Sequence, residues 1–360
     1  MKRLLLSVLA GTLLCLHTYG QGTMDNGQWT KDNGQKTMDK ATLTMEQQSL
    51  VALAANEATG NLQDLKEAVE QAIDNGLTAN QLKEVFAHLY AYTGFPRSLN
   101  GQGVLQAVLK EREQAGKPVD AGKEASPLAA DYDALRQGTA VQTELCGGAY
   151  HYAFCPVEDY FLKAHLFGDI FARDVLTYQQ RELVTVSALA AMEGTEPQLN
   201  SHKGLAQRTG LSREVVEAAA LLAHRLGSKS RLHFAIGAPN TAYARYFIGN
   251  SYLEPLAEGI SNVTFEPACR NNWHIHHDVR QILVVVSGEG WYQEWGKPAQ
   301  RLKPGDTVDI PVGVKHWHGA TKDSWFQHVV THIPATSIAG DTKTGNEWLE
   351  PVDDEAYYAL

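Results

Sequence analysis

Apolar positions along the chain follow two different periods. From about residue 41 they recur every three to four positions, the spacing that lines one face of a helix, and this helical part repeats itself. Residues 43–51 (LTMEQQSLV) match residues 176–184 (LTYQQRELV) at a spacing of 133. In each copy a Thr is followed three residues on by Gln (Thr44 and Gln47, Thr177 and Gln180), a capping box that satisfies the first free N–H groups of a helix. About 34 residues later each copy offers a second start, Gly76-Leu77-Thr78 and Gly210-Leu211-Ser212, where glycine ends one helix and the hydroxyl caps the next. The stretches 82–92 and 215–226 then read as helices. Two homologous all-helical units are expected, residues 41–125 and 126–237.

Past residue 237 the period shortens. Apolar runs at residues 281–286, 307–310 and 326–333 are broken by Gly and Pro, which predicts strands in a compact β domain over residues 238–340. Residues 238–256 read as the connection into it. The polar, acidic end of the chain, residues 341–360, reads as a tail of open order.

The first 40 residues differ from both parts. Lys2 and Arg3 precede an apolar run over residues 4–16 and the small-residue end Thr18-Tyr19-Gly20, the make-up of a secretory signal peptide. That run is too short to span a bilayer core of ~30 Å as a helix. Residues 1–20 are therefore expected to be cleaved near Gly20, leaving an exported, periplasmic or secreted chain with no membrane span. Residues 21–40, polar and nearly repetitive, are expected to be a flexible tail. Export makes a Cys146–Cys155 disulfide conceivable, with two buried thiols as the equal alternative; Cys269 stands alone.

Composition excludes some functions. The 360 residues are 44% hydrophobic and 20% charged with a formal net charge of −10, an ordinary globular balance without the basic face that nucleic-acid binding needs. Histidine, however, is concentrated: seven of the 14 lie between His274 and His332. His274 and His276 are two apart, so on a strand they share a face and can share an ion. Five of the seven tryptophans fall in the same region, which suggests an apolar wall around a small cavity.

The spacing His274-x-His276-x4-Gln281-x6-Gly288, followed by Gly305-x5-Pro311-x-Gly313-x2-His316, resembles the two motifs of the cupin superfamily, small jelly-roll barrels that hold a divalent metal. The resemblance covers residues 246–336 and implies His274, His276, Gln281 and His316 as metal ligands; His277 competes with His276 if the register differs. Many cupins have Glu where Gln281 stands. An all-neutral donor set leaves the ion's charge uncompensated, making it a stronger Lewis acid that favours an anionic ligand. Residues 290–296 and 316–320 are similar to small cupins that include manganese-dependent hydroxynitrile lyases. That likeness implies manganese first and places His328 in the metal pocket, where a neutral imidazole can transfer a proton; the mixed N/O donors suit Fe, Zn, Ni or Co as well. His332, on the same strand face as His328, and Trp317 and His318 beside His316 are the further expected pocket residues, a packed core position being the other reading of His328 and His332.

The helical units in turn resemble the carboxymuconolactone decarboxylase and alkylhydroperoxidase D-type fold. The likeness rests on residues 82–99, with Glu84-Val85 and the turn Gly94-Phe95-Pro96, and more weakly on residues 176–226. Thr195 and Gln198 stand where peroxidase members carry a Cys pair, so thiol peroxidase chemistry is disfavoured. Glu182 and His202 remain as a proton-transfer pair in the second unit, or else a solvated ion pair. The first unit has Ser49 in place of Glu182 and, with His88, Tyr90 and Tyr92, reads as a structural or oligomerising partner.

The expected architecture is thus a multidomain α and β protein, a tandem helical repeat followed by a cupin β-barrel. Its expected function is a metal-dependent lyase or decarboxylase acting on a small oxygenated compound. A metal-dependent dioxygenase and a non-catalytic small-molecule-binding cupin are the other readings. The helical resemblance implies a homo-oligomer.

Overall fold

The computed structural model describes residues 43–335 and 343–360. The residues read as signal peptide and flexible tail lie outside them. Helices occupy the first part: α1 (Met45–Thr59), α2 (Leu62–Asp74), α3 (Ala79–Thr93), α4 (Phe95–Gln114), α5 (Ala134–Cys146), α6 (Pro156–Tyr160), a π-helix (Phe161–Ile170), α7 (Tyr178–Ala191), α8 (Glu196–Arg208) and α9 (Arg213–Ser230). Among the described residues no helix is long and apolar enough to cross a membrane.

The repeat is visible in the caps. Thr44 and Thr177 both close capping boxes with Gln47 and Gln180, and Thr78 and Ser212 cap the third helix of each copy by accepting from Gln81 and Val215 N–H. Gly94 separates α3 from α4 at φ +80°, a left-handed conformation that costs glycine nothing. The two copies do not form separate cores. Helix α1 packs against α7 and α9, and one apolar cluster runs from Leu50, Leu53 and Leu65 through Val184, Val186, Val216 and Ala223. Each fully buried leucine there contributes about 1.5–3 kcal/mol of burial free energy.

Polar groups tie the copies together as well. Glu84 on α3, buried, accepts from the fully buried Arg181 on α7 at 2.7 Å and from Arg173 at 2.9 Å.

The strands are β1 (Ala238–Pro239), β2 (Phe247–Ile248), β3 (Ser251–Ala257), β4 (Ile260–Phe265), β5 (Arg270–Asn271), β6 (His274–His276), β7 (Val279–Gly288), β8 (Gly290–Glu294), β9 (Gln300–Leu302), β10 (Thr307–Ile310), β11 (His316–Ala320), β12 (Phe326–Pro334) and β13 (Asn346–Trp348). They form two antiparallel sheets, one ordered β1-β3-β4-β12-β7-β10, the other centred on β11 with β8 on one side and β5 and β6 on the other. This is a jelly-roll barrel, so the chain is a helical repeat followed by a cupin-type β domain, as the change of period implies. Segment 238–256, expected as connection, already supplies β1, β2 and most of β3, of which only the two-residue β1 and β2 lie at sheet edges.

Side chains from both parts hold the junction. His233 N–H donates to Ser287 Oγ at 2.8 Å, Gln327 Oε1 accepts from His233 and Phe234 N–H, and Trp325 N–H donates to Ser228 Oγ at 3.1 Å.

Candidate metal centre

Six histidines and one glutamine converge inside the barrel. His274 and His276 lie on β6, and His316 on β11 is the direct cross-strand partner of His274. Gln281 on β7 and His328 and His332 on β12 come from the facing sheet, where His332 stands opposite Gln281. The tight turn before His316 depends on Gly313, whose φ is +78° and whose N–H donates to His276 O at 2.8 Å, so the two histidine-bearing strands are fixed to each other. Ring centroids are 4.1 Å apart for His274 and His316, 5.1 Å for His274 and His276, and 5.4 Å for His276 and His316.

Hydrogen bonds on the far side of each ring set its tautomer. His274 Nδ1 donates to Asn272 O at 3.0 Å, His316 Nδ1 to Val314 O at 2.9 Å and His276 Nδ1 to Asn346 Oδ1 at 2.5 Å. Because these oxygens only accept, the three Nδ1 atoms carry the protons and the three Nε2 atoms carry lone pairs. His276 Nε2 is buried without a hydrogen-bond partner among the described residues. His316 Nε2 lies 3.3 Å from Gln281 Oε1, one acceptor against another. Gln281 Nε2 in turn donates to His332 Nε2 at 3.2 Å.

A tighter grouping by distance alone is His274, His316 and His318, whose ligand atoms all lie within 4.8 Å of one another. The bonding of His318 separates it from the others. Asn271 Oδ1 accepts the His318 backbone N–H at 3.0 Å, which turns Asn271 Nδ2 toward the ring and lets it donate to His318 Nε2 at 3.1 Å. That lone pair is engaged, and Nδ1–H, buried without a partner among the described residues, becomes a donor. His328 lies beyond it, ring centroids 5.0 Å apart, between Phe265 and Phe326. Neither of its ring nitrogens has a hydrogen-bond partner among the described residues.

Burial pushes every one of these imidazoles toward its neutral form. His316 is driven down to about 3 and His328 to about 4. His274 and His318 fall well below the usual histidine range, burial acting first and the neighbouring imidazoles second. His276 is lowered for the same first reason.

Several expected residues sit elsewhere. His277 turns out of the cup, its Nε2 2.8 Å from Glu347 Oε2. Trp317 is not a pocket residue: on β11 it alternates with His316 and His318, so its ring faces the opposite way, bonds Gln293 Oε1 at 2.8 Å and packs against Trp273 and Tyr357. Nor do the tryptophans wall the cavity. Trp295 is exposed under Lys315 and Trp325 stacks on Tyr252, while Phe265 and Phe326 line the interior. The structure joins Cys146 and Cys155 by no disulfide. Three positioning residues escape sequence reading, Asn271, Asn346 and Trp348, the last stacked on His274 with centroids 4.7 Å apart. The register of Asn346 and Trp348 opposite His276 and His274 is the signal that a sequence does not display.

In the helical part Glu182 and His202 do meet, His202 Nδ1 lying 2.8 Å from Glu182 Oε2, with Glu182 fully buried. The first unit contributes here: His88 Nε2 lies 2.8 Å from Thr185 Oγ1, and the Tyr92 ring stands edge-on to His202 at 5.4 Å.

Comparison with known proteins agrees with this fold. A cupin domain model matches residues 261–330 and a carboxymuconolactone decarboxylase family model matches residues 25–107. The (R)-mandelonitrile lyase of Granulicella tundricola is 35% identical over 121 residues, covering 32% of this chain and 87% of the relative. The chain belongs to the cupins, with a carboxymuconolactone decarboxylase-like helical part ahead of the barrel. Among solved structures, a cupin-like protein from Thermotoga maritima is 36% identical over 36% of this chain and 96% of its own, at TM-score 0.30. A structure from the same organism described as a predicted oxalate decarboxylase is 18% identical over 27% of this chain and 93% of its own, at TM-score 0.25.

Proposed function

We propose that the barrel is a metal-dependent lyase centre in which His274, His276 and His316 bind a divalent ion through Nε2 and Gln281 through Oε1. The observation that carries this reading is the facing of His316 Nε2 and Gln281 Oε1, two acceptors 3.3 Å apart in a buried cup, because lone pairs so placed repel unless a cation lies between them. The donor set of imidazole and amide oxygen suits Mn, Fe, Co, Ni or Zn, and manganese is the first choice through the hydroxynitrile-lyase likeness. Such an ion would supply Lewis acidity toward a substrate oxygen.

The chain's own residues supply the rest. His318 donates from Nδ1 to a substrate oxygen and orients it. His328, kept neutral by burial, accepts a cyanohydrin's hydroxyl proton as the carbon–carbon bond breaks into aldehyde and cyanide and passes it to the departing cyanide; for a carboxylic substrate it would instead carry a solvent proton to the carbon that loses carbon dioxide. Phe265 and Phe326 exclude water around that proton. The substrate class is a small α-oxygenated compound such as a cyanohydrin or a hydroxy acid, cyanohydrin cleavage being the activity that the name of the Granulicella relative carries. Export by residues 1–20, the unit boundaries at 125 and 237, and a homo-oligomeric state belong to the same proposal.

The test uses residues 21–360 purified without chelator: metal content first, then release of aldehyde and cyanide from mandelonitrile and of carbon dioxide from small hydroxy acids. Turnover that follows metal content and collapses in His328→Ala supports the reading. A metal-loaded protein that cleaves neither class overturns it.

One observation favours a second reading, an acid–base site in the helices. Glu182 Oε1 is buried without a hydrogen-bond partner among the described residues, beside a Tyr92 hydroxyl whose pKa burial and that carboxylate push upward. Turnover lost in Glu182→Gln at unchanged metal content would move the chemistry there.

A further inference from the structure

Residues 343–360 return along the barrel wall and add β13 to its second sheet. His277 N–H donates to Gly345 O at 3.0 Å, Leu349 N–H to Trp273 O at 2.8 Å and Trp273 N–H to Glu350 O at 3.0 Å. These bonds fix β13 against β6, with Asn346 opposite His276 and Trp348 opposite His274. Further along, Tyr357 anchors the segment: its hydroxyl donates to Ala320 O at 2.7 Å and the Arg270 guanidinium lies 4.1 Å from its ring centroid. The chain end is therefore packed into the domain, with Val352 and Tyr357 buried against Trp273 and Trp317.

Each histidine of β6 receives one side chain from this strand. The Asn346 amide oxygen takes the Nδ1 proton of His276, which places the lone pair on Nε2, the buried nitrogen without a partner among the described residues. The Trp348 indole covers the His274 ring at 29° and is itself stacked with Tyr246 at 4.6 Å and 7°, so the imidazole cannot rotate away from His316.

We propose that the C-terminal strand Asn346–Trp348 is a positioning element of the metal cup, holding His276 and His274 in the tautomer and rotation that present Nε2 to the ion. The inference rests on the metal reading above. By linkage, whatever the strand adds to metal affinity the bound ion returns as tighter docking of the strand.

The experiment uses the full chain with Mn²⁺ or Co²⁺ alone as probe, its affinity read by competition with a chromophoric chelator. Loss of an outer hydrogen bond of this kind typically weakens metal binding by about 10–100-fold. That drop is expected in Asn346→Leu and in Trp348→Leu, with Asn346→Asp, which keeps an acceptor oxygen, close to wild type. Hydrogen exchange of residues 343–360 in the wild type is the second measurement and needs no variant to fold; it is expected to slow when the ion is added. Wild-type affinity in Asn346→Leu, or exchange in this segment indifferent to the ion, overturns the proposal while the cup stands. A wild type that takes up no ion overturns the cup itself.

Discussion

His316 and Gln281 face each other across the barrel, Nε2 to Oε1 at 3.3 Å, with nothing between them that can donate. Each is held there from behind, His316 by Val314 O and Gln281 by His332. Rings pre-set by their outer hydrogen bonds and a tethered amide mean that the cup needs little reorganisation to take an ion. About one equivalent of divalent metal is expected in protein purified without chelator, and none in a His274→Ala/His316→Ala double variant. Elemental analysis decides it.

His328 touches none of the proposed ligands, so its loss should separate chemistry from metal binding. In His328→Ala, kcat is expected to fall by about 10²–10⁴-fold, the usual contribution of a placed proton acceptor, with metal content unchanged. Steady-state kinetics beside elemental analysis checks both halves.

The metal-free barrel should weaken in mild acid. His328 sits at about 4 in the folded chain against about 6.5 unfolded, so between those values the unfolded state binds more protons and stability rises with pH. It is fully present above pH ~6.5, falls as pH drops toward 4, and levels below. At about 1.4 kcal/mol per pKa unit the loss from His328 alone is on the order of 3 kcal/mol. Denaturant titrations of chelator-treated protein across this range should show it, with a shallower slope in His328→Gln.

Glu84 and Arg181 join the two helical copies through a fully buried pair. Removing one partner strands a charge, so Glu84→Ala is expected to cost about 3–5 kcal/mol. A double variant, Glu84→Met with Arg181→Met, should recover most of that. Arg173, which also bonds Glu84, is half exposed and can turn to solvent in the double variant. Urea unfolding of the three proteins measures the difference.

Trp317, placed outside the cup, should matter to packing and not to metal. Trp317→Phe removes the Nε1–H bond to Gln293 and is expected to lower the melting temperature while leaving metal affinity unchanged, as thermal unfolding beside chelator competition would reveal.

Much of this molecule could be read from residue order because local rules and global structure agree. The Thr-x-x-Gln boxes start α1 and α7 as written, and the His-x-His spacing delivers two rings to one face of β6. The failures have a common cause. Trp317 belongs to the 316–320 motif, but a strand turns alternate residues to opposite sides, so motif membership does not put its ring in the pocket. Asn271, Asn346 and Trp348 act through strand pairing, and pairing between segments 47 or 70 residues apart leaves no periodic mark. The single core of the two helical copies was likewise hidden, since each copy carries an apolar face without naming the surface that covers it.

None of the four proposed donors is a carboxylate, and the surrounding chain carries a formal charge of −10. An ion in the cup would keep its charge to itself, a local sink for negative charge set inside a molecule whose long-range field turns anions away. Such a site sorts compounds by when they ionise. Those already charged in solution approach against the field, whereas those that arrive neutral and lose a proton only inside gain the full attraction after entry. With an ion bound the barrel would in this sense be a trap for pro-anions, a property set by an amide in the place where many cupins carry an acid.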